Sequence, residues 1–360
     1  MQQQITKLDF TNQDIFIAMD TGQKSWKISI MTDQLEHKTF NQPPEVKVLV
    51  KYLHRNFPGG RYHCVYEAGY CGFWIHDELE GYGIDCIVVN PADVPTKHKE
   101  QTHKSNRVDA RKLCRNLRSG ELDAIYVPKR ASLEDRSLVR SRYSFVKKQT
   151  RCKNQIKAFL SFYGVSVPEG SAATHWSGRF ITWLQQLAFQ RASGDDALKS
   201  LLEELLYLRP IIARLTKQIR ALSDEEPYRK SVLYLRSIHG ISTLSAMIFL
   251  TELIDIDRFG TLDRLASYCG LVPGEHSTGE EEIITGITPR RNRMLRAQLI
   301  ECAWIAVRKD PALLMSFNKL TSRMPKNNAI VHIARKLLNR IRFVLKNQHP
   351  YQPCIIEYAR

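Results

Sequence analysis

The sequence is short of long apolar runs, of paired cysteines and of acids to balance its bases, and each shortage removes a class of protein. No run approaches the roughly 18 consecutive apolar residues of a membrane-crossing helix, and the start MQQQITKLDF carries no signal-peptide core. A cytoplasmic location is expected, and a membrane partner is not. The eight cysteines, at positions 64, 71, 86, 114, 152, 269, 302 and 354, include no Cys-x-x-Cys pair and no ligand-like cluster. They read as reduced thiols, which argues against a disulfide scaffold and against a zinc module. Acids number 37 against 53 bases, a formal charge of +16. Such an excess calls for a polyanionic partner, and without a membrane segment nucleic acid is favoured.

A chain of 360 residues holds two or three packed units. Ile15 to Asp20 reads as a buried strand ending in an acid, and Trp26 to Met31 as its hairpin partner across Thr21-Gly22-Gln23. A helical stretch from Val46 to Leu53, a strand from Tyr62 into Glu67, a helix near Phe73 to Leu79 and a strand from Cys86 to Val89 follow. This alternation predicts an α/β domain over 12–128. From Asp109 the pattern turns helical, with Leu113 and Leu117 one turn apart.

Residues 129–157 hold ten Lys or Arg against only Glu134 and Asp135, interspersed with Leu138, Phe145 and Ile156. This predicts a basic helix anchored along one face. Leu201, Leu205, Leu208, Ile212, Leu215, Ile219 and Leu222 then repeat at spacings of 4 and 3, a heptad seam. The reading for 129–226 is therefore a basic helix and a coiled-coil arm, its pairing antiparallel or oligomeric, with Pro210 expected to kink or split it. A mostly helical unit over 227–347 opens with Ser237-Ile-His-Gly-Ile-Ser. That string is similar to a helix-hairpin-helix turn in which Gly240 presents amides to a phosphate.

Phosphoryl chemistry with two metal ions needs several carboxylates at one point, because magnesium prefers hard oxygen ligands. Asp20 and Glu67 at strand ends and Asp109 on a following helix suit that role. Their surroundings Ile17-Ala-Met-Asp-Thr-Gly-Gln-Lys24, Val65-Tyr-Glu-Ala-Gly69, Val89-Asn-Pro91 and Lys104-Ser-Asn-Arg-Val-Asp-Ala-Arg-Lys-Leu113 resemble four consecutive blocks of the DEDD transposases. These form the insertion-sequence 110 family, related to the Piv invertase. The resemblance implies an α/β RNase H/RuvC-like domain, then a helical or coiled-coil segment and a mostly α-helical carboxy-terminal transposase domain. It implies magnesium, or manganese, held by Asp20, Glu67, Asn106 and Asp109. It also implies nucleic-acid contacts from the basic residues Lys104, Arg107 and Arg111.

The carboxy-terminal blocks Leu265-Ala-Ser-Tyr-Cys-Gly-Leu-Val-Pro273, Glu275-His-Ser-Thr-Gly279 and Gly286 to Arg296 continue the likeness in order and spacing. In the family a serine before the glycine of this loop is the nucleophile toward DNA. Here that place is held by Thr278, with Ser277 before it, and either hydroxyl can form a phosphoester. Arg290, Arg291, Arg293 and Arg296 follow as candidate phosphate contacts, and His276 as a proton carrier. The resemblance further implies DNA as substrate and a structured guide RNA beside the gene, held in part by 129–157. It also implies a homo-oligomer, a dimer or tetramer, in which one subunit's acids meet another's hydroxyl loop. Two alternatives stay open: a relative that binds nucleic acid without recombining it, and an RNase H-like nuclease or resolvase.

Asn106 departs from the family pattern, which has an acid there. An amide oxygen still ligates a metal but brings no charge. Asn106→Asp is expected to lower the magnesium concentration needed for activity; an unchanged magnesium titration would remove position 106 from the ligand set.

Overall fold

The computed structural model describes residues 9–95, 106–168, 175–278, 281–288 and 291–352, with backbone only for 106–108, 274–278 and 281–287. The chain divides into two compact units, Met1–Val127 and Pro128–Arg360.

The first unit is built on a five-stranded mixed sheet of order β3-β2-β1-β4-β5. Strand β1 (Asp14–Thr21) turns back into β2 (Trp26–Thr32), and β2 into β3 (Glu36–Gln42), all antiparallel. On its other side β1 runs parallel to β4 (Arg61–Glu67), which runs parallel to β5 (Asp85–Val89). Parallel neighbours need crossovers, supplied by α1 (Val46–Asn56) before β4 and α2 (Trp74–Gly81) between β4 and β5.

Alternation along the strands sorts side chains between two layers. Ile15, Ile17, Met19, Cys64 and Tyr66 face the layer of Leu49, Leu53, Ile75 and Leu79 from α1 and α2. Ala18 and Val65 face Leu113 and Cys114 of α3 (Asn106–Arg118) on the other side. The hairpin and the strand and helix order match the sequence reading. Strand β3 was not foreseen, because Glu36-His-Lys-Thr-Phe-Asn-Gln42 has a single large apolar residue and lies at the sheet edge, where burial asks little of it.

In the second unit α4 (Arg130–Phe162) and α6 (Ala192–Ser223) pack antiparallel: Arg142 Nε donates to Thr216 Oγ1 at 2.7 Å, and Cys152 Sγ to the Leu201 carbonyl at 3.2 Å. A short helix α5 (Gly178–Gln185) lies between them in the chain, and its Phe180, Ile181 and Leu184 join a core with Ile156, Leu160, Leu202 and Leu205. Of the two pairings the heptad seam left open, the fold shows the antiparallel one, within the chain. Leu205, Leu208, Leu215 and Ile219 are buried within the chain itself. Nor does Pro210 split the helix, since it sits at an exposed position while packing on either side of it holds α6 together.

The remaining elements are α7 (Tyr228–Arg236), α8 (Thr243–Leu253), α9 (Leu262–Cys269), the hairpin β6 (Pro273–Thr278) and β7 (Glu281–Ile287), α10 (Arg293–Lys309), α11 (Pro311–Thr321) and α12 (Lys326–Asn347). The turn between α7 and α8 contains Gly240 at φ +93°, and a Cβ there would meet the Cys302 carbonyl of α10 at 2.5 Å. Close helix packing and the left-handed backbone each require a glycine here, whatever the turn presents to a partner. Ser242 caps α8 by accepting from Ser245 N.

Glu252 of α8 is fully buried, yet it carries a charge. Arg140 of α4 donates to it through Nε at 2.6 Å and Nη2 at 2.8 Å, and Asn292 Nδ2 donates at 2.7 Å. The Asn292 Oδ1 meanwhile accepts from Met294 N and Leu295 N, capping α10. Burial pushes the Glu252 carboxyl up, but the hydrogen bonds from Arg140 and Asn292 outweigh it and leave it below the usual range. Arg140→Ala is expected to destabilise this unit by about 3 kcal/mol, because it leaves a buried carboxylate without its counter-charge. Glu252→Gln should cost less, since Arg140 is half exposed and turns to water. In wild type the stabilisation is present above the ordinary glutamate value of about 4.3 and is lost as pH falls through the lower folded value. Urea titrations of both variants check this; equal costs would contradict it.

Candidate active site

Two acids come together through strand register. In the parallel ladder Met19 pairs with Tyr66, so Asp20 and Glu67, one residue further along each strand, end side by side. Period-two alternation turns both toward α3, the side already taken by Ala18 and Val65. On α3, Asp109 lies one turn before Leu113, which packs on that same sheet face, so the helix carries the acid to the strand ends.

The result is a cavity of about 280 Å³ lined by Asp20, Glu67 and Asp109 together with Thr21, Gly69, Tyr70 and Leu113. It opens at the carboxyl ends of β1 and β4, where the sheet passes from antiparallel to parallel, a location that favours ligand sites in open α/β sheets. Burial and the nearby Asp109 charge push the Asp20 carboxyl above its ordinary value, with Lys27 opposing. A pocket that disfavours the charge of Asp20 in this way suits a cation, and oxygen donors suit a hard divalent one. Among the described residues no three His, Cys, Asp or Glu stand close enough to enclose an ion as they are.

Other expected residues are placed differently. Asn106 opens α3 three residues before Asp109, and Arg107 follows it; the side chains of both, and all of Lys104, lie outside the described residues. Arg111 is turned to the sheet edge, where its Nε donates to Thr39 Oγ1 of β3 at 3.1 Å. Ser277 and Thr278 close β6, paired in register with Glu282 and Glu281 of β7, in a hairpin where the sequence reading had only a loop. Gly279 and Arg290 lie outside the described residues. Arg291 and Arg293 are exposed beside the start of α10. Arg296 instead donates to the Thr288 carbonyl at 3.2 Å, so it holds the hairpin's exit.

Sequence reasoning missed Tyr70, Glu252 and Asn292. Tyr70 could have been suspected from standing three residues after Glu67, and Glu252 from being the single acid in the apolar run Ala246 to Leu253.

The raised Asp20 value has a stability consequence of definite sign. Ionising a carboxyl whose folded value exceeds its unfolded one costs stability, so the loss grows as pH rises from about 3.9 through the folded value and is complete above it. Asp20→Asn removes the cost. The metal-free variant is expected to melt above wild type at pH 7 and level with it near pH 3 in calorimetry; equal melting at pH 7 would show that the site is not strained.

Comparison with known proteins finds matches in both units. A DEDD-type IS110 transposase model matches residues 17–165, and a model described as the transposase IS116/IS110/IS902 family matches 233–317. The protein y4qE of Sinorhizobium fredii, named as a transposase, is 35% identical over 243 residues, which are 68% of this chain and 58% of that relative, so the match leaves part of its length uncovered. The transposase for insertion sequence element IS1111A of Coxiella burnetii is 26% identical over 281 residues, 76% of this chain and 74% of the relative. That for element IS1533 of Leptospira borgpetersenii is 24% identical over 248 residues, 67% and 70%. With the acids at the strand ends inside the first matched segment and the Ser-Thr hairpin inside the second, the chain belongs to the IS110 family of insertion-sequence transposases.

Proposed function

We propose that this chain cleaves and rejoins DNA strands, using a hydroxyl of the β6–β7 hairpin as nucleophile and the acids Asp20, Glu67 and Asp109, with Asn106, as a site for magnesium or manganese. The observation that carries the reading is the meeting of three carboxylates from distant parts of the chain in one cavity. Carboxylates do not gather in a partly buried pocket for stability, as the raised Asp20 value attests. The mixed sheet with helices on both faces supports an RNase H-like domain.

When bound there, a divalent ion would offset charge at the phosphodiester and on the departing oxygen. The chain's own part is to supply the hydroxyl. Thr278 Oγ1, or Ser277 Oγ, bonds to phosphorus as the bond from phosphorus to one strand oxygen breaks; the hydroxyl proton leaves and the freed strand end gains one. A phosphoester link keeps the bond energy for rejoining. The +16 charge, the exposed Arg291 and Arg293 and the basic helix α4 support binding to phosphate backbones. In this reading α4 also helps hold a structured guide RNA, and a dimer or tetramer forms through surfaces other than the α6 seam.

A second reading, a relative that binds but does not recombine, is favoured by two substitutions in the family pattern, Asn106 and Thr278. One assay separates them: full-length protein with magnesium, DNA carrying the element's ends and RNA from its flanks, analysed for covalent adduct and rejoined product. Asp20→Asn, Glu67→Gln and Asp109→Asn are each expected to lower product by about a hundredfold or more. Thr278→Ala should abolish the adduct while Ser277→Ala keeps it. Adducts in both would exclude the hairpin, free cleavage without adduct would favour a nuclease, and binding alone the second reading.

A further inference from the structure

Two large aromatic rings stand exposed on the segment that follows β4: Tyr70 at the acidic cavity, and Trp74 four residues further on. Tyr70 is 65% exposed and lines the cavity; Trp74, at the start of α2, is 47% exposed. Both are fixed against the same end of the β1–β2 hairpin. The Tyr70 hydroxyl donates to the Thr21 carbonyl at 2.6 Å, and the Trp74 ring lies 5.8 Å from that of buried Trp26. Thr21 and Trp26 are themselves a register pair of that hairpin.

The segment carrying the rings is tied down as well. Ala68 N donates to the Val89 carbonyl at 2.8 Å, and Tyr66 Oη to the Gly72 carbonyl at 3.0 Å. Tyr70 has thus committed its polar end to the backbone and cannot fold its ring inward without losing that bond. What remains is the rigid apolar face of Tyr70 at the rim of a carboxylate pocket, with Trp74 exposed against the same hairpin end and Lys24 exposed in the adjoining turn.

Flat apolar faces next to a phosphate-handling site and a cation match one ligand chemistry, the unpaired nucleobase on its charged backbone. Stacking on an aromatic ring suits it because every base has a π-face, and a pre-fixed ring loses little freedom on binding. We propose that Tyr70 and Trp74 form a stacking platform for unpaired bases of the DNA strand whose phosphate enters the acidic cavity. This rests on the DNA-cleaving reading above for the identity of the strand. The platform would hold bases flanking the reacting phosphate out of the duplex, which sets the strand's position and favours sites that unpair readily.

The test is binding without chemistry. Full-length protein in EDTA is titrated by fluorescence anisotropy with labelled oligothymidylate, with an equal-length strand of abasic sites, and with oligouridylate. Wild type is expected to bind oligothymidylate about tenfold more tightly than the abasic strand. The Tyr70→Leu, Trp74→Leu double variant should lose that preference while its affinity for the abasic strand stays unchanged, and Tyr70→Phe, which keeps the ring, should retain most of it. A preference that survives the double variant, or is absent from wild type, overturns the proposal. A preference confined to oligouridylate overturns its assignment to DNA. Asp20→Asn should keep the preference, and wild type that shows it in EDTA yet yields no strand cleavage with magnesium would fail the catalytic reading and leave the platform standing.

Discussion

Parallel backbone pairing between β1 and β4 is the constraint from which the site in the first unit follows. It places Met19 beside Tyr66, hence Asp20 beside Glu67, and alternation then gives both acids to the face covered by α3. A slip of one residue in either strand would send one acid to the opposite layer, among Leu49, Leu53 and Leu79, where a carboxylate has no partner. The apolar residues Ile15, Ile17 and Met19 forbid that slip, since it would expose them on the wrong side. The core therefore fixes the chemistry: the same residues that exclude water from one face hold the carboxylates at the end of the other.

The second unit uses charge where the first uses register. Glu252 lies inside an apolar core and is tolerated there because Arg140 and Asn292 satisfy both of its oxygens. Through that one carboxylate the basic helix α4, the core helix α8 and the capped start of α10 are fastened together. The β6–β7 hairpin with Ser277 and Thr278 is inserted just before this fastening, and Arg296 grips its exit at Thr288. The hairpin that carries the hydroxyls is thus rooted in a network independent of its own sequence.

Tyr70 and Trp74 could have contributed to the core beside Tyr66 and Ile75, yet both present their faces outward while their anchors lie on the hairpin of β1 and β2. The acids and the rings share one local scaffold, so a change in the β1–β2 turn would disturb both.

The amino-acid sequence by itself marked the strands and helices of the first unit other than β3, the family, and Asp20, Glu67 and Asp109 as candidate acids, because periodicity and block spacing are local properties of the chain. Three matters were left to tertiary structure. The heptad seam of α6 could not name its partner, since the same 4 and 3 spacing serves any facing helix; the fold supplied α4 of the same chain. Gly240 read as a turn glycine, and only the fold showed that the Cys302 carbonyl of α10 lies 2.5 Å from the place a Cβ would take. Tyr70 and Glu252 carried only faint local hints, for exposure of a ring and burial of a charge depend on which distant residues surround them.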